Sequence, residues 1–340
     1  MPELAETTAA TTRSRVEERA AAAPRGTAVA SLAMAAPPDV VGNGPIAERL
    51  GIAEEWIVER TGVEERRIAA PGERLAAYAS EAGAGAVEAA GIDAAELDLV
   101  LVATISHEQL TPHAAALVAE QIGASRAGAL DVNAACTGFL SALSMATGQI
   151  ESRRADSALV IGADLTSRLT NRDDRSTAGL FGDGAGAVVL RPTDAPGRIG
   201  PVILGSDGAR ASLIQADRSD ALIRMKGPDT FRQAVDRLAE SSLDALAAAG
   251  RTLADVDLFA YHQANSRIIR AVGERLELPA EKVIDCVPRY GNTSAASIPI
   301  ALAEARGEGR LPDGATVLCA AFGGGLAWGA TMIEWGTDVS

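Results

Sequence analysis

Apolar residues are distributed along this chain in two patterns. In the first, nearly every position of a short run is apolar, as at Leu99–Ala103, 158–161, Leu258–Tyr261 and 316–320. Runs of this kind predict strands with both faces covered, which is what a sheet packed between helices needs. In the second, apolar positions recur at helical spacing: Phe139, Leu140, Leu143, Met145, Ala146 and Ile150 follow the turn 133–138 and predict a helix buried over most of its surface.

The patterns repeat. AAGIDAAELDLVLVAT from Ala89 and AAGRTLADVDLFAYHQ from Ala248 share the order helix end, glycine, capped turn, apolar strand. Gly91 and Gly250 stand 159 positions apart (250 − 91), and the same offset carries Asn133 onto Asn292, setting NAACTGFLSAL over NTSAASIPIAL. A third pair, FGDGAGAVVL from Phe181 and FGGGLAWGATMI from Phe322, repeats a glycine-rich turn before a β run. Three pairs in one order predict a duplicated α/β half. The expected architecture is two pseudo-symmetric halves, 26–195 and 196–340, in layers of helix and sheet, joined through RPTDAPGRIG at 191–200. Residues 1–25, with almost no large apolar side chains, are expected to form a mobile extension, partly helical near 16–23.

Composition narrows the function. With 340 residues, 47% hydrophobic and 22% charged, the chain can bury a large core. A net charge of −14 argues against a nucleic-acid partner, although a local basic patch can still dock an acidic protein. Cys136, Cys286 and Cys319 are far apart with no CxxC spacing, which suits a reducing compartment and speaks against a zinc cluster. No run approaches the roughly 20 apolar residues of a membrane span, and no signal-peptide core is present, so the cytoplasm is the expected location and no membrane partner is expected.

Three residues carry the candidate chemistry. Cys136 lies between a short β run and a helix start, where the positive end of the macrodipole is expected to favour a nucleophilic thiolate. A lone cysteine is more often inert core. His262 follows the run Leu258–Tyr261, at the strand C-terminus where α/β folds often place chemistry, though a histidine there is also an ordinary structural residue. Asn292 sits on the turn that the repeat aligns with the cysteine turn; alone it is turn chemistry. Pseudo-symmetry brings the two turns to related ends of the halves, so that a thiol, an imidazole and an amide can meet on one thioester.

The segments WIVERTGVEERRIAAPGE from Trp56, DVNAACTGF, FGDGAGAVVL, HQAN, YGNTSAAS and AFGGGLAWG together resemble, in order and spacing, the β-ketoacyl-acyl carrier protein (ACP) synthase III family of the thiolase-like fold. The resemblance runs from about residue 27 to about residue 335 and implies the α-β-α-β-α arrangement of that fold. It implies that Cys136 takes an acyl group from acyl-CoA, and that His262 and Asn292 stabilise the enolate formed as malonyl-ACP loses carbon dioxide. The backbone N–H groups of Cys136 and Gly324 then form the oxyanion hole. Trp56, Arg60, Arg175 and Asn265 become CoA-binding residues, Thr111, Phe181 and Phe322 acyl-pocket residues, and Arg232 and Arg267 carrier-protein contacts. A homodimer is implied, with Thr111 reaching the partner's pocket, and no metal or permanently bound cofactor is implied, acyl-CoA being a substrate. There are departures: Glu274 stands where a basic residue is common, Pro228 where an Asn meets the pantetheine arm, and Thr111 where Phe often closes the pocket. The segment 206–224 is short.

Other readings fit less well. Thiolases need a second cysteine and elongating synthases a second histidine, where Asn292 stands. Papain-like hydrolases share the order Cys, His, Asn but not the sequence around the cysteine. FGDGAG lacks the lysine of a phosphate loop. A non-catalytic subunit would lack the cysteine. The nearest alternative is a member of the same family that transfers the acyl group to a carrier or small molecule without condensation.

Overall fold

The computed structural model describes residues 25–194 and 198–336. Nearly all of the expected N-terminal extension, and the middle of the 191–200 connection, lie outside them. Arg25, the last residue of that expected extension, is held on the body instead: its guanidinium bonds Asp156 Oδ1 at 2.5 Å, Ala155 O at 2.8 Å and Ile150 O at 3.2 Å.

In chain order the strands are β1 (Gly26–Ala35), β2 (Val40–Gly42), β3 (Glu65–Arg67), β4 (Leu99–Ala103), β5 (Gly128–Val132), β6 (Ala158–Leu165), β7 (Asp183–Thr193), β8 (Ile203–Ser206), β9 (Ile214–Ala216), β10 (Ile223–Met225), β11 (Leu258–Tyr261), β12 (Thr316–Gly323) and β13 (Ala327–Glu334). Two sheets organise the protein, ordered β1-β7-β6-β4-β5 and β11-β12-β13-β8. Their pairings correspond. The parallel pair β4–β6 matches β11–β12, antiparallel β6–β7 matches β12–β13, and antiparallel β7–β1 matches β13–β8. Local detail repeats as well. Gly91 and Gly250, both at φ 65°, end helices ahead of turns closed by capping boxes, Asp93 with Glu96 and Thr252 with Asp255. β5 breaks the symmetry, because 159 residues further on the chain forms the short helix Val287–Tyr290.

Helices Leu75–Ala90 and Ala114–Ile122 cover the outer face of the first sheet, and Gly227–Ala248 and Ser266–Arg275 that of the second. Between the sheets lie Gly138–Glu151 and Ser297–Gly307, whose apolar residues form one core with both. This is the expected α-β-α-β-α layering. It explains why β6 is buried at every position: helices press on it from both sides. Met145 departs from the expected buried set, being 47% exposed, so the inter-sheet helix keeps one open flank. Close approach needs a bare backbone at Gly162 of β6, where a Cβ would lie 2.2 Å from Ala295 O; this lets the second half's turn rest on the first half's sheet.

Candidate active site

The Cys136 turn leaves β5 at Val132 and enters a 3-10 turn, Ala135–Thr137, that runs into the helix Gly138–Glu151. Ala135 takes φ 46°, and Thr137 Oγ1 donates to Ala134 O at 2.7 Å, closing the turn. The equivalent turn, Ser294–Ala296, has Ser294 at φ 51° and leads into Ser297–Gly307. The two turns face each other, with the Ser294 hydroxyl donating to Cys136 Sγ at 3.7 Å. Gly323 at the end of β12 completes the enclosure. A Cβ there would stand 2.7 Å from Cys136 Cβ and 3.1 Å from its sulfur, so only glycine lets the cysteine sit where it does.

Gly324 lines the same cavity as Cys136. Burial pushes the thiol up to about 11, and the charge of Asp164 adds to the effect; the Ser294 hydroxyl offsets only part of it. Burial of the sulfur thus opposes the thiolate that the helix terminus is expected to favour.

His262 continues the β11 ladder, its N–H bonding Ala320 O at 2.7 Å, and its ring is almost wholly buried. Burial pulls the imidazole down to about 3, so it is neutral at physiological pH. Its Nδ1 meets Ser297 Oγ at 2.6 Å. Ser297 is 1% exposed and its hydroxyl has no other partner among the described residues, so the hydroxyl hydrogen is satisfied only by donation to Nδ1. The proton of the ring then sits on Nε2. Asn292 is fixed through its backbone by the first half: its N–H bonds Leu180 O at 2.9 Å, while its carbonyl accepts from Gly182 N at 3.1 Å and Thr166 Oγ1 at 3.1 Å. Its Oδ1 accepts from Ser294 N at 2.9 Å, which leaves the amide nitrogen as the free donor.

Cys136, His262 and Asn292 all line one cavity of about 1790 Å³. Trp56, Arg60 and Arg175 stand on its wall, with the Arg60 guanidinium 4.5 Å from the Trp56 ring centroid and Arg175 bonded to Leu50 O at 3.0 Å. Asn265 also lines it; its Oδ1 caps the following helix through Arg267 N at 2.8 Å, and its Nδ2 bonds Arg60 O at 3.0 Å. Its place is behind Arg60, holding that residue. Phe181 and Phe322 are buried wall residues. Thr111 is exposed and off this wall, while its neighbour Leu110 is on it. Arg267, over the Phe231 ring, and the exposed Arg232, paired with Asp229 at 2.5 Å, lie at the cavity's edge. Pro228 lines the cavity at the start of the helix Gly227–Ala248, and the short 206–224 segment folds into the β9–β10 hairpin beside it. Among the described residues no group of three or more His, Cys, Asp or Glu could hold a metal.

Sequence reasoning missed Ser294, Ser297 and Asp164. The serines lay inside a motif valued for its asparagine. Asp164 had a signal: it is the one charged residue in the otherwise apolar and wholly buried β6 run ALVIGADL.

The family description 3-Oxoacyl-[acyl-carrier-protein (ACP)] synthase III matches residues 130–222, and its C-terminal counterpart residues 246–335. The chain is 42% identical over 322 residues to the β-ketoacyl-ACP synthase III of Roseiflexus castenholzii, covering 91% of this chain and 98% of the relative. Among solved structures, the 3-oxoacyl-ACP synthase III of Aquifex aeolicus is 40% identical with a TM-score of 0.88, covering 91% of this chain and 100% of that one. The priming β-ketosynthase of the R1128 polyketide biosynthetic pathway is 36% identical with a TM-score of 0.89, covering 92% and 97%.

Proposed function

Because this chain belongs to the β-ketoacyl-ACP synthase III family, we propose that it is a decarboxylating condensing enzyme of fatty-acid or polyketide initiation. An acyl-CoA acylates Cys136 and free CoA departs. Malonyl-ACP then loses carbon dioxide, and the resulting enolate carbon attacks the acyl-cysteine and expels the sulfur, giving 3-ketoacyl-ACP. The observation that carries this reading is the meeting of a thiol, a neutral Nε2–H imidazole and a free amide donor on one cavity.

Each group has a task that follows from its state. The backbone N–H groups of Cys136 and Gly324, which line the cavity beside the sulfur, serve as the oxyanion hole for the carbon that becomes tetrahedral. Decarboxylation moves charge onto the malonyl thioester oxygen. His262 Nε2–H and Asn292 Nδ2–H, both neutral, stabilise that charge without competing as bases. Trp56 stacks on the adenine of CoA, Arg60 and Arg175 meet its phosphates, and Arg267 and Arg232 meet the carrier. No further cofactor is needed.

A second copy of the chain covers the open flank of the first sheet. Leu110, Leu130 on the edge strand β5 and Met145, respectively 84%, 49% and 47% exposed, support a homodimer interface there. Across it, Thr111 leaves more room in the partner's acyl pocket than Phe would, so C6 to C12 acyl-CoAs are accepted; turnover far faster with acetyl-CoA refutes this. The enzyme works in the cytoplasm, a reducing compartment that suits three free cysteines. The test of function is the mass of the carrier protein after mixing with an acyl-CoA panel and malonyl-ACP. A 3-ketoacyl adduct absent with Cys136→Ala supports condensation. Acylated Cys136 with no condensed product on any carrier refutes it in favour of plain acyl transfer.

A further inference from the structure

Arg66, in the middle of β3, is wholly buried, and among the described residues no carboxylate is bonded to it. Burial pulls the guanidinium down to about 10, which leaves it charged at neutral pH. A charge kept in the interior without a counter-ion is costly, so its place calls for a reason. Three neutral oxygens hold it. Nη1 donates to Val41 O at 3.1 Å, and Nη2 donates to Asn43 Oδ1 at 2.7 Å and to Gly179 O at 2.8 Å. Gly179 stands one residue before Leu180, whose carbonyl accepts the Asn292 N–H at 2.9 Å, and Gly182 N donates to Asn292 O at 3.1 Å. Phe181 and Asn292 thus form a parallel bridge between the two halves. The stem of Arg66 packs under that bridge. A Cβ at Gly182, next to Phe181, would lie 3.0 Å from Arg66 Cβ, and one at Gly291, next to Asn292, would lie 3.5 Å from it. Arg66 therefore rests against both sides of the bridge and bonds the segment that forms one of them.

Resting on the function proposed above, we propose that Arg66 is a positioning residue for Asn292, holding the 179–182 segment where the Asn292 amide meets the enolate oxygen. Arg66 is not on the cavity wall, so it acts through the bridge rather than on substrate. The guanidinium suits this task because its planar fork reaches several oxygens at once from a fixed geometry, which a lysine ammonium does not. Its other contacts anchor it in the first half. Asn43, which takes one of its bonds, donates Nδ2 to Val63 O at 2.8 Å, just past the helix Glu54–Thr61 that carries Trp56 and Arg60. The first half thereby sets the place of a donor that belongs to the second. None of these bonds reaches the Cys136 turn, so the condensation half-reaction depends on Arg66 and the chemical step of acylation does not.

The test is a double-mutant cycle on the acyl-loaded enzyme, read as carbon dioxide release from malonyl-ACP in a single turnover. Arg66→Met keeps an unbranched stem and removes the three bonds. Release falls by about 10²-fold, the effect of misplacing a catalytic donor by about 1 Å, while acyl-enzyme formation at saturating acyl-CoA keeps its rate. In an Asn292→Ala background the same substitution has no further effect on release, because the group it positions is gone. Arg66→Lys, which keeps the charge and a donor, recovers part of the rate and replaces the methionine variant in the cycle if that variant is misfolded. Equal falls in both backgrounds, or a fall in acylation as large as that in release, overturn the proposal. A second readout needs no catalysis: hydrogen exchange, followed by peptide mass, speeds up across 180–183 and 290–294 in Arg66→Met. Unchanged exchange in those segments also overturns it. Should wild-type loaded enzyme release no carbon dioxide from any malonyl-carrier while exchange changes as stated, the proposed function fails and the positioning of Asn292 by Arg66 stands.

Discussion

Ser297→Ala separates the two half-reactions. The substitution removes the only partner of His262 Nδ1 among the described residues, a 2.6 Å hydrogen bond between groups that are 1% and 2% exposed. A buried nitrogen left without a partner costs about 1–3 kcal/mol. The ring can relieve that cost by moving its proton to Nδ1 or by turning, and either change takes the Nε2–H donor away from the enolate oxygen. If the full cost appears in the transition state of decarboxylation, the condensation step slows by about 5- to 150-fold. Cys136 and its two amides are untouched, so acylation keeps its rate. The assay is single turnover in two stages: intact mass for acyl-enzyme formation, then carbon dioxide release after adding malonyl-ACP to the loaded enzyme. Because burial holds the wild-type imidazole near 3, the condensation rate shows no histidine titration between about pH 5 and 8. An equal fall in both stages, or an unchanged condensation rate, refutes the assignment of Ser297 as the residue that sets the tautomer.

Three other outcomes are expected. Gly323→Ala drives a Cβ to 2.7 Å from Cys136 Cβ and slows acylation at least tenfold, whereas Gly324→Ala, whose nearest neighbour is Ile214 at 3.5 Å, is tolerated sterically; acyl-enzyme formation measured for both checks the contrast. The His262 ring, held down to about 3, ties stability to pH. Its folded value is below the unfolded one, so the contribution is complete above about pH 6.5 and is lost as pH falls towards 3. Denaturant midpoints at pH 7 and 4.5 should show wild type losing about 2–3 kcal/mol more than His262→Asn. Trp56→Ala removes the indole under Arg60 and raises KM for acyl-CoA with little change in the condensation rate of loaded enzyme; a kcat effect alone contradicts that role.

Much of this protein is legible in the sequence because its duplication is written at a fixed offset. The spacing that set Asn133 over Asn292 also aligns two residues of positive φ, Ala135 and Ser294, and the helix starts Gly138 and Ser297. Strands buried on both faces announced themselves as continuous apolar runs. The misses have physical causes. Periodicity counts Met145 as apolar but does not say that its flank of the helix stays uncovered in the single chain. The surroundings of the sulfur come from Gly323 and Ser294, both distant in sequence. The sequence did not show that Asn265, on the cavity wall, also caps a helix and bonds Arg60 O.

A symmetric scaffold yields an asymmetric site here because the two equivalent turns are used for different things. Each turn presents backbone and side chain to the same interface between the sheets. In the first half the position after the positive-φ residue is Cys136, and its partner 159 residues on is Ala295, whose N–H serves Asp164. In the second half the turn contributes Asn292, Ser294 and Ser297, which respectively offer an amide, reach the sulfur and orient His262. The proposed nucleophile thus comes from one copy of the repeat, and the groups proposed to orient His262 and meet the enolate come mainly from the other. The catalytic state therefore depends on the packing of the two halves against each other. Gly162, whose missing side chain admits the Ala295 carbonyl, is where that packing is tightest. Placing alanine there should separate the turns and reduce acylation and condensation together, unlike Ser297→Ala, which leaves the turns in place.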